Sequence, residues 1–295
     1  MNRGYLLLLS GYVGWGLFPL YWSLLAHVSS LEILMHRMLW AVPFLLPLVI
    51  FSSRRKSQLV AAFQSWPEIR LLAISSIFIS FNWGIYIWAV ANNRVIEASM
   101  GYFLTPLLNV VVGVLIFKEK LDRLQLTAIG FATAGVLYYI LEGGIFPWVG
   151  LSLGISFASY GVLRKKMKTN AVPGLLIETL ILLPFTVGFI LWLHGTNSAA
   201  FLNHNNITDL WLILAGLITV VPLALFTAGA RMLPMTSVGI LFYVTPTLQF
   251  LCGILIFNEA FDQHKLIGFA AIWTGLLIFS YSLLSKQMTN QSEVT

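Results

Sequence analysis

The chain has few charged side chains for its length. Its 17 basic and 11 acidic residues make up 9% of 295 residues, whereas an ordinary soluble domain carries roughly 25%. So small a number does not cover the water-exposed surface of a soluble body of this size. The composition therefore excludes a soluble enzyme, a disordered tail and a nucleic-acid-binding protein, and it indicates a membrane protein.

Cysteine is nearly absent, and the common catalytic motifs are missing. Cys252 is the one cysteine, which excludes a disulfide framework and a multi-cysteine metal site. The five histidines lack the HExxH spacing, and the chain contains no GxxxxGKS/T phosphate loop and no GxSxG nucleophile motif. We therefore expect no catalytic residue, no metal and no cofactor.

Long apolar stretches run through the whole chain. A membrane-spanning helix needs about 20 mostly apolar residues, and ten such stretches lie between polar breaks. They are Tyr5–Leu25, Leu31–Phe51, Ile69–Ala91, Ala98–Phe117, Leu124–Leu141, Ile145–Leu163, Val172–Leu193, Asp209–Ala230, Thr236–Phe257 and Leu266–Ser285. The sequence therefore predicts an all-α integral membrane protein with ten transmembrane helices in the lipid bilayer.

The basic residues lie mainly in alternate loops between these stretches. If the N-terminus is cytoplasmic, 14 of the 17 Lys and Arg residues fall on the cytoplasmic side, as the positive-inside rule requires. Arg94 and Lys265 fall outside, and Arg37 falls within a span. This asymmetry predicts a multi-pass protein with both termini in the cytoplasm.

A repeat appears when the chain is shifted by 140 residues. The aligned pairs include Thr105-Pro106 with Thr245-Pro246, Gly113 with Gly253, and Glu119 with Glu259. Each repeat contains five spans, so we divide the chain into residues 1–142 and 143–295. Because five is odd, the second repeat enters the membrane from the opposite side. Two inverted five-helix repeats are a recurring design of secondary transporters, in which a site between the halves faces either side in turn.

Each repeat places a proline and a glycine seven residues apart in one span. Pro106 precedes Gly113, and Pro246 precedes Gly253. Proline removes a backbone donor and kinks a helix, and the freed carbonyl must be satisfied or must line a cavity. We favour kinked helices that line and gate a pore. The alternative is a packing kink, since proline and glycine are common in membrane helices.

Two charged residues lie inside spans at equivalent places in the two repeats. Arg37, with His36 beside it, lies in the second span, and Glu178 lies in the seventh. A charge inside the membrane costs at least about 2.5–3.5 kcal/mol and marks a functional site by default. We predict that Arg37 and Glu178 approach each other or face one cavity. The alternative is that each side chain reaches the headgroups by snorkelling.

A small-molecule site needs apolar and aromatic walls with a few polar groups. The candidate wall residues are Trp83, Tyr86, Tyr102 and Tyr243, and the candidate hydrogen-bonding residues are Asn82, Asn109 and Gln249. The alternative for the aromatic residues is a place in the Trp and Tyr belts that occur at both membrane interfaces.

Several strings resemble those of a known family. They are Glu32-Ile-Leu-Met-His36-Arg37, Asn82-Trp83, Leu176-Ile-Glu178-Thr179 and Val221-Pro222-Leu223. With these strings the chain resembles the EamA-type proteins of the drug/metabolite transporter superfamily, and among them the RarD-type permeases, over nearly its whole length. The resemblance implies a bacterial inner-membrane permease that moves small molecules by exchange or ion coupling.

We therefore expect a secondary transporter of small organic metabolites or drugs that works by alternating access, as a monomer or a homodimer. In this account Arg37 attracts an anionic group such as a carboxylate, or pairs with Glu178, and Glu178 couples transport to protons. Two alternatives stay open: a membrane-embedded enzyme acting on a lipid-linked substrate, and a passive small-solute channel. The enzyme would draw on His36, Arg37 and Glu178, which have no recognised catalytic spacing.

Overall fold

The computed structural model describes residues 3–118, 121–143, 146–233 and 235–292, and every regular element in these ranges is an α-helix. The helices are α1 (Arg3–Gly16), α2 (Phe18–Ser23), α3 (Ser30–Ile50), α4 (Ser53–Phe63), α5 (Trp66–Ala91), α6 (Val95–Phe117), α7 (Arg123–Gly143), α8 (Trp148–Lys166), α9 (Ala171–Gly195), α10 (Asn206–Ala230), α11 (Met235–Leu241), α12 (Val244–Leu255) and α13 (Gln263–Ser292). The prediction of an all-α chain is confirmed for these residues.

Seven segments among the described residues are long and apolar enough to cross a membrane. They are Ser30–Ile50, Trp66–Ala91, Arg123–Glu142, Ala171–Gly195, Asn206–Ala230, Ser237–Leu255 and Gln263–Ser285. The other three predicted spans coincide with α1 and α2 together, with α6 and with α8. Helix α4 was not predicted, because its apolar residues are too few for a span and its first turns contain the Arg54-Arg55-Lys56 cluster.

The first predicted span is divided into α1 and α2 at Leu17. Pro19 lies in the first turn of α2 and has no N–H group, so the carbonyl of Trp15, four residues earlier, loses its helical donor. The side-chain Nε2 of Gln249 donates to that carbonyl at 3.2 Å. The carbonyl freed at this break is therefore satisfied by a side chain from the second half of the chain, as buried backbone groups require.

The two Thr-Pro pairs have different surroundings. Pro106 lies inside the continuous helix α6, whereas Pro246 lies in the first turn of α12, directly after the break that ends α11. The hydroxyl of Thr105 donates to the carbonyl of Gly101 within its own helix at 3.0 Å. The hydroxyl of Thr245 donates instead to the carbonyl of Tyr12 in α1 at 3.0 Å. The ninth predicted span therefore consists of two helices that are held against α1 at their junction.

Helices from the two halves of the chain interleave. The most extensive pairings are α7 with α13, α6 with α8, α1 with α10, and α3 with both α10 and α9. Two of these pairings depend on glycine, because a Cβ atom at Gly101 of α6 would overlap the carbonyl oxygen of Gly150 in α8. A Cβ atom at Gly216 of α10 would likewise overlap the carbonyl group of Trp40 in α3.

We expect Gly101→Ala and Gly216→Ala each to lower the stability of the folded protein by about 1–3 kcal/mol, because backbone must move to make room. The measurement is the unfolding midpoint in detergent micelles. Gly130→Ala is the matched control, since a Cβ atom there has no neighbour within 4 Å. Equal midpoints for all three variants would contradict this assignment of close helix packing.

Candidate functional site

A cavity of about 360 Å³ lies between the two halves of the chain. Its walls come from α1, α2, α3, α5 and α6 of the first half and from α8, α9, α10 and α12 of the second. Six predicted site residues line it, namely Arg37, Asn82, Trp83, Tyr86, Tyr102 and Gln249. The further aromatic lining consists of Tyr12, Trp15, Phe18, Phe157, Tyr160, Phe226 and Phe242. The enclosed, aromatic shape with a few polar groups is that of a small-molecule site.

The guanidinium of Arg37 lies in an aromatic corner of this cavity and is only 2% exposed. Its Nε donates to the hydroxyl of Thr219 at 2.8 Å. Its Cζ lies 3.8 Å from the ring centre of Trp83, 5.1 Å from that of Trp22 and 5.4 Å from that of Phe18, which gives three cation–π contacts. Its Nη1 has no hydrogen-bond partner, and within the described part of the chain it forms no ion pair. Arg37 therefore does not snorkel, and its charge is not neutralised by the protein around it.

Two further buried polar atoms on the same cavity have no hydrogen-bond partner among the residues that the structure describes. They are the hydroxyl of Tyr86 and the Oε1 of Gln249, and both side chains belong to residues that are 2% exposed. Buried polar groups are nearly always satisfied in proteins. Three residues on the cavity lining therefore carry an unsatisfied polar atom, namely a cationic donor, a hydroxyl and an acceptor.

Asn82 has a different role from these three residues. Its Nδ2 donates to the carbonyl of Leu153 and to the hydroxyl of Ser156, both at 2.9 Å. Its Oδ1 accepts from the hydroxyl of Tyr102 at 3.1 Å. These bonds join α5, α6 and α8, so Asn82 fixes the position of the cavity wall.

Glu178 is 1% exposed and does not belong to the cavity lining. Its Oε1 lies 3.6 Å from Nη1 of Arg164 and accepts from the hydroxyl of Ser75. Its Oε2 accepts from the hydroxyl of Tyr160 at 3.3 Å. The structure therefore gives Glu178 a cation partner other than Arg37, and the predicted approach of Arg37 and Glu178 is not seen.

Arg164 was missed as an internal residue, because the run Arg164-Lys165-Lys166 is typical of a cytoplasmic loop. It lines the cavity, and its Nη2 donates to the carbonyl of Thr169 at 3.2 Å. The signal in the sequence is Gly174, one helical turn before Glu178. A Cβ atom at Gly174 would overlap the Arg164 guanidinium, so the glycine makes room for the ion pair.

A second cavity of about 220 Å³ is lined by Pro106, Asn109 and Tyr243 of the predicted set. Its lining also includes Val238, Gly239, Ile240, Phe242 and Phe279, which places it near the break between α11 and α12. The predicted binding residues other than Glu178 and His36 therefore divide between two neighbouring cavities.

The two cavities share the rings of Tyr12, Phe157 and Phe242. The rings of Phe157 and Phe242 stack at 14° with 6.3 Å between their centres, and the Tyr12 ring meets Phe242 edge-on at 5.9 Å. Phe242 lies in the break between α11 and α12. An aromatic partition carried by a helix break therefore separates the two spaces.

His36, Pro246 and Gly253 lie outside both cavity linings. The Nδ1 of His36 accepts from Trp40 Nε1 at 3.1 Å, and Pro246 follows the helix break. Gly253 packs α12 on α6, since a Cβ atom there would lie 2.6 Å from Ile96 Cγ1. Gly113 lies in α6, but the packing around it falls outside the described part of the chain. Glu119 also lies outside the described residues.

We expect the buried pair of Arg164 and Glu178 to be energetically coupled. The variants Arg164→Gln, Glu178→Gln and the double variant should show a coupling energy of about 0.5–3 kcal/mol in unfolding measurements, because each single change leaves a buried group without its partner. Arg94 and Glu97 form the control cycle, since Arg94 is 29% exposed and the pair is expected to couple by about 0.2–1 kcal/mol. Strict additivity for Arg164 and Glu178 would contradict the pairing.

The chain has relatives over nearly its full length. It is 37% identical to the uncharacterized transporter YojE of Bacillus subtilis, with 99% of this chain and 98% of the relative covered. It is 40% identical to the uncharacterized transporter PA0485 of Pseudomonas aeruginosa, with 95% and 94% covered. It is 39% identical to the protein RarD of Escherichia coli, with 97% and 96% covered.

A solved structure, described as the crystal structure of a protein, has the same fold with a TM-score of 0.60, at 16% identity over 93% of this chain and 96% of that one. The profile of the EamA-like transporter family matches residues 2–141 and again residues 146–281. The resemblance noted from the sequence is thereby confirmed, and the chain belongs to the EamA-like transporter family.

Proposed function

We propose that the protein is a secondary carrier of small organic molecules in a bacterial inner membrane, working by alternating access and without enzymatic activity. The observation that carries this proposal is the central cavity, whose walls come from both halves and which holds the unneutralised guanidinium of Arg37. A site of this kind between two halves can face either side of the membrane.

The pattern of helix contacts supports ten spans in two inverted repeats, residues 1–142 and 143–295. If α1, α3, α5, α6 and α7 correspond to α8, α9, α10, α12 and α13, then each extensive pairing has a counterpart. The pairing of α1 with α10 corresponds to α8 with α5, and that of α3 with α10 corresponds to α9 with α5. Exchanging the two halves leaves three pairings unchanged, namely α7 with α13, α6 with α12 and α3 with α9. The family profile also matches each half once.

Carboxylates at one end of the bundle join the two halves. Glu32 accepts two backbone N–H groups from the segment before α10, Glu97 accepts one at the start of α8, and Glu259 accepts two at the start of α6. With both termini in the cytoplasm, this is the external end. Glu68 joins the halves in the same way at the opposite end, where it accepts the backbone N–H groups of Lys168 and Thr169. The bundle is therefore tied at both ends, with the partition at Phe242 between the central cavity and the second cavity.

Glu178 is the coupling residue in this proposal. Its carboxylate is buried against Arg164, which itself lines the cavity. A change of conformation that moves Arg164 away would leave Glu178 without its cation and favour uptake of a proton. Transport by Glu178→Gln would then be independent of a proton gradient, whereas the wild-type protein would respond to it.

Alternating access can be tested without knowing the substrate. In a Cys252→Ser background, Leu175→Cys places a thiol on the cavity, and Leu176→Cys places one beside it that is fully buried outside the lining. In oriented membranes we expect a membrane-impermeant maleimide to label Leu175→Cys from either side and Leu176→Cys from neither, because only the cavity opens in turn.

Liposomes containing the protein should also hold a potassium diffusion potential, since a carrier opens to one side at a time. Labelling of Leu175→Cys from one side alone would contradict alternating access. Labelling from both sides together with a collapsed potential would favour the channel.

The aromatic partition should act as the inner gate. Phe242→Ala should speed labelling of Leu175→Cys from the cytoplasmic side by about 2- to 10-fold, since an aromatic pair contributes about 0.5–1.5 kcal/mol. Phe185→Ala is the control, because that ring is 76% exposed and lies away from both cavities. The measurement is the labelling rate, and an equal rate for the two variants would remove Phe242 from the gate.

A further inference from the structure

The central cavity carries a net positive charge from the protein. Arg37 and Arg164 line it, and the carboxylate of Glu178 stands against Arg164. Within the described residues, no Asp or Glu belongs to the lining. One positive charge, that of Arg37, is therefore left for a ligand to neutralise.

We infer that the cavity takes a monoanionic carboxylate that also carries a neutral hydrogen-bond donor, such as a hydroxyl or an amide N–H, on an apolar body. This inference rests on the proposed function, because it names the substrate class of the same cavity.

The anionic group follows from Arg37 and Tyr86. Thr219 already occupies Nε of Arg37, so Nη1 is a free donor on this guanidinium. The Tyr86 hydroxyl is a second free donor on the same cavity. A carboxylate has two oxygens and forms strong charge-assisted bonds with guanidinium groups. It would pair with the guanidinium of Arg37, because burying a cation without a counter-ion costs free energy.

The donor on the ligand follows from the fixed orientation of the Gln249 amide. Its Nε2 must face the Trp15 carbonyl, because a carbonyl oxygen can only accept. The Oε1 of Gln249 therefore points away from Trp15 and is an acceptor with no donor. A ligand N–H or O–H would donate to this oxygen, and a ligand that leaves the oxygen without a donor binds more weakly.

The hydrogen-bond donor on the ligand is neutral, because the described cavity lining contains no carboxylate that could pair with an ammonium group. A zwitterion would bring an ammonium group into a cavity that holds two guanidinium groups, and like charges in such a space repel. It would also leave the charge of Arg37 uncompensated overall. The rings of Trp15, Trp83, Phe157 and Phe242 around these polar groups suit an apolar or aromatic body.

Four probes with one skeleton separate these features. They are 3-phenyllactate (carboxylate and hydroxyl), 3-phenylpropionate (carboxylate alone), methyl 3-phenyllactate (hydroxyl alone) and phenylalanine (carboxylate and ammonium). The readout is quenching of tryptophan fluorescence in the purified full-length protein, since Trp15 and Trp83 line the cavity. We expect 3-phenyllactate to bind at least about 5-fold more tightly than each of the other three.

Two variants assign the features to residues. Gln249→Leu should remove the preference for 3-phenyllactate over 3-phenylpropionate, and Arg37→Gln should remove the preference for 3-phenyllactate over its methyl ester. Arg37→Lys keeps the charge and should retain part of that second preference. Thr186→Val is the matched control, because Thr186 also has a buried hydroxyl without a partner but lies outside the cavity.

The inference is overturned if phenylalanine or the methyl ester binds as tightly as 3-phenyllactate to the wild-type protein. It is also overturned if none of the four probes binds, or if Gln249→Leu keeps the full preference while its elution profile matches that of the wild-type protein. If 3-phenyllactate binds but Leu175→Cys is not labelled from both sides, the proposed ligand class is supported and the proposed carrier function is contradicted.

Discussion

The arrangement of the site depends on how the protein holds the buried guanidinium of Arg37. A cation inside the membrane costs at least about 2.5–3.5 kcal/mol, and here it is held by one hydroxyl and a set of aromatic faces rather than by a carboxylate. Cation–π contacts recover part of that cost but leave Nη1 without a partner. In our proposal, a bound anion supplies the partner that this donor lacks.

The two halves of the chain share a helix arrangement and differ in their chemistry. Arg37 on α3 and Glu178 on α9 occupy equivalent places, yet one faces the cavity unpaired and the other is enclosed by Arg164, Ser75 and Tyr160. The Thr-Pro pairs diverge in the same way, with one inside a continuous helix and the other beside a break. The helix contacts are therefore similar in the two halves, whereas the side chains differ and give the cavity its polar groups.

The sequence predicted the helical segments and six of the residues on the cavity, because apolar length and buried charge are local signals. It did not predict the division of the first span at Leu17 or the inward position of Arg164. The break at Leu17 is stabilised by Gln249, which is distant in the chain, and Arg164 sits in a basic run that also fits a loop. The partners of Glu178 and Asn82 likewise depend on how helices pack, which spacing along one chain does not encode.

The most direct measurement of the central claim is a structure of the full-length protein determined with bound 3-phenyllactate. The account predicts the carboxylate within hydrogen-bond distance of Arg37 Nη1 and the ligand hydroxyl facing Gln249 Oε1, with Glu178 outside the site. An ion pair between Arg37 and a protein carboxylate, or a ligand bound away from the cavity between the halves, would contradict it.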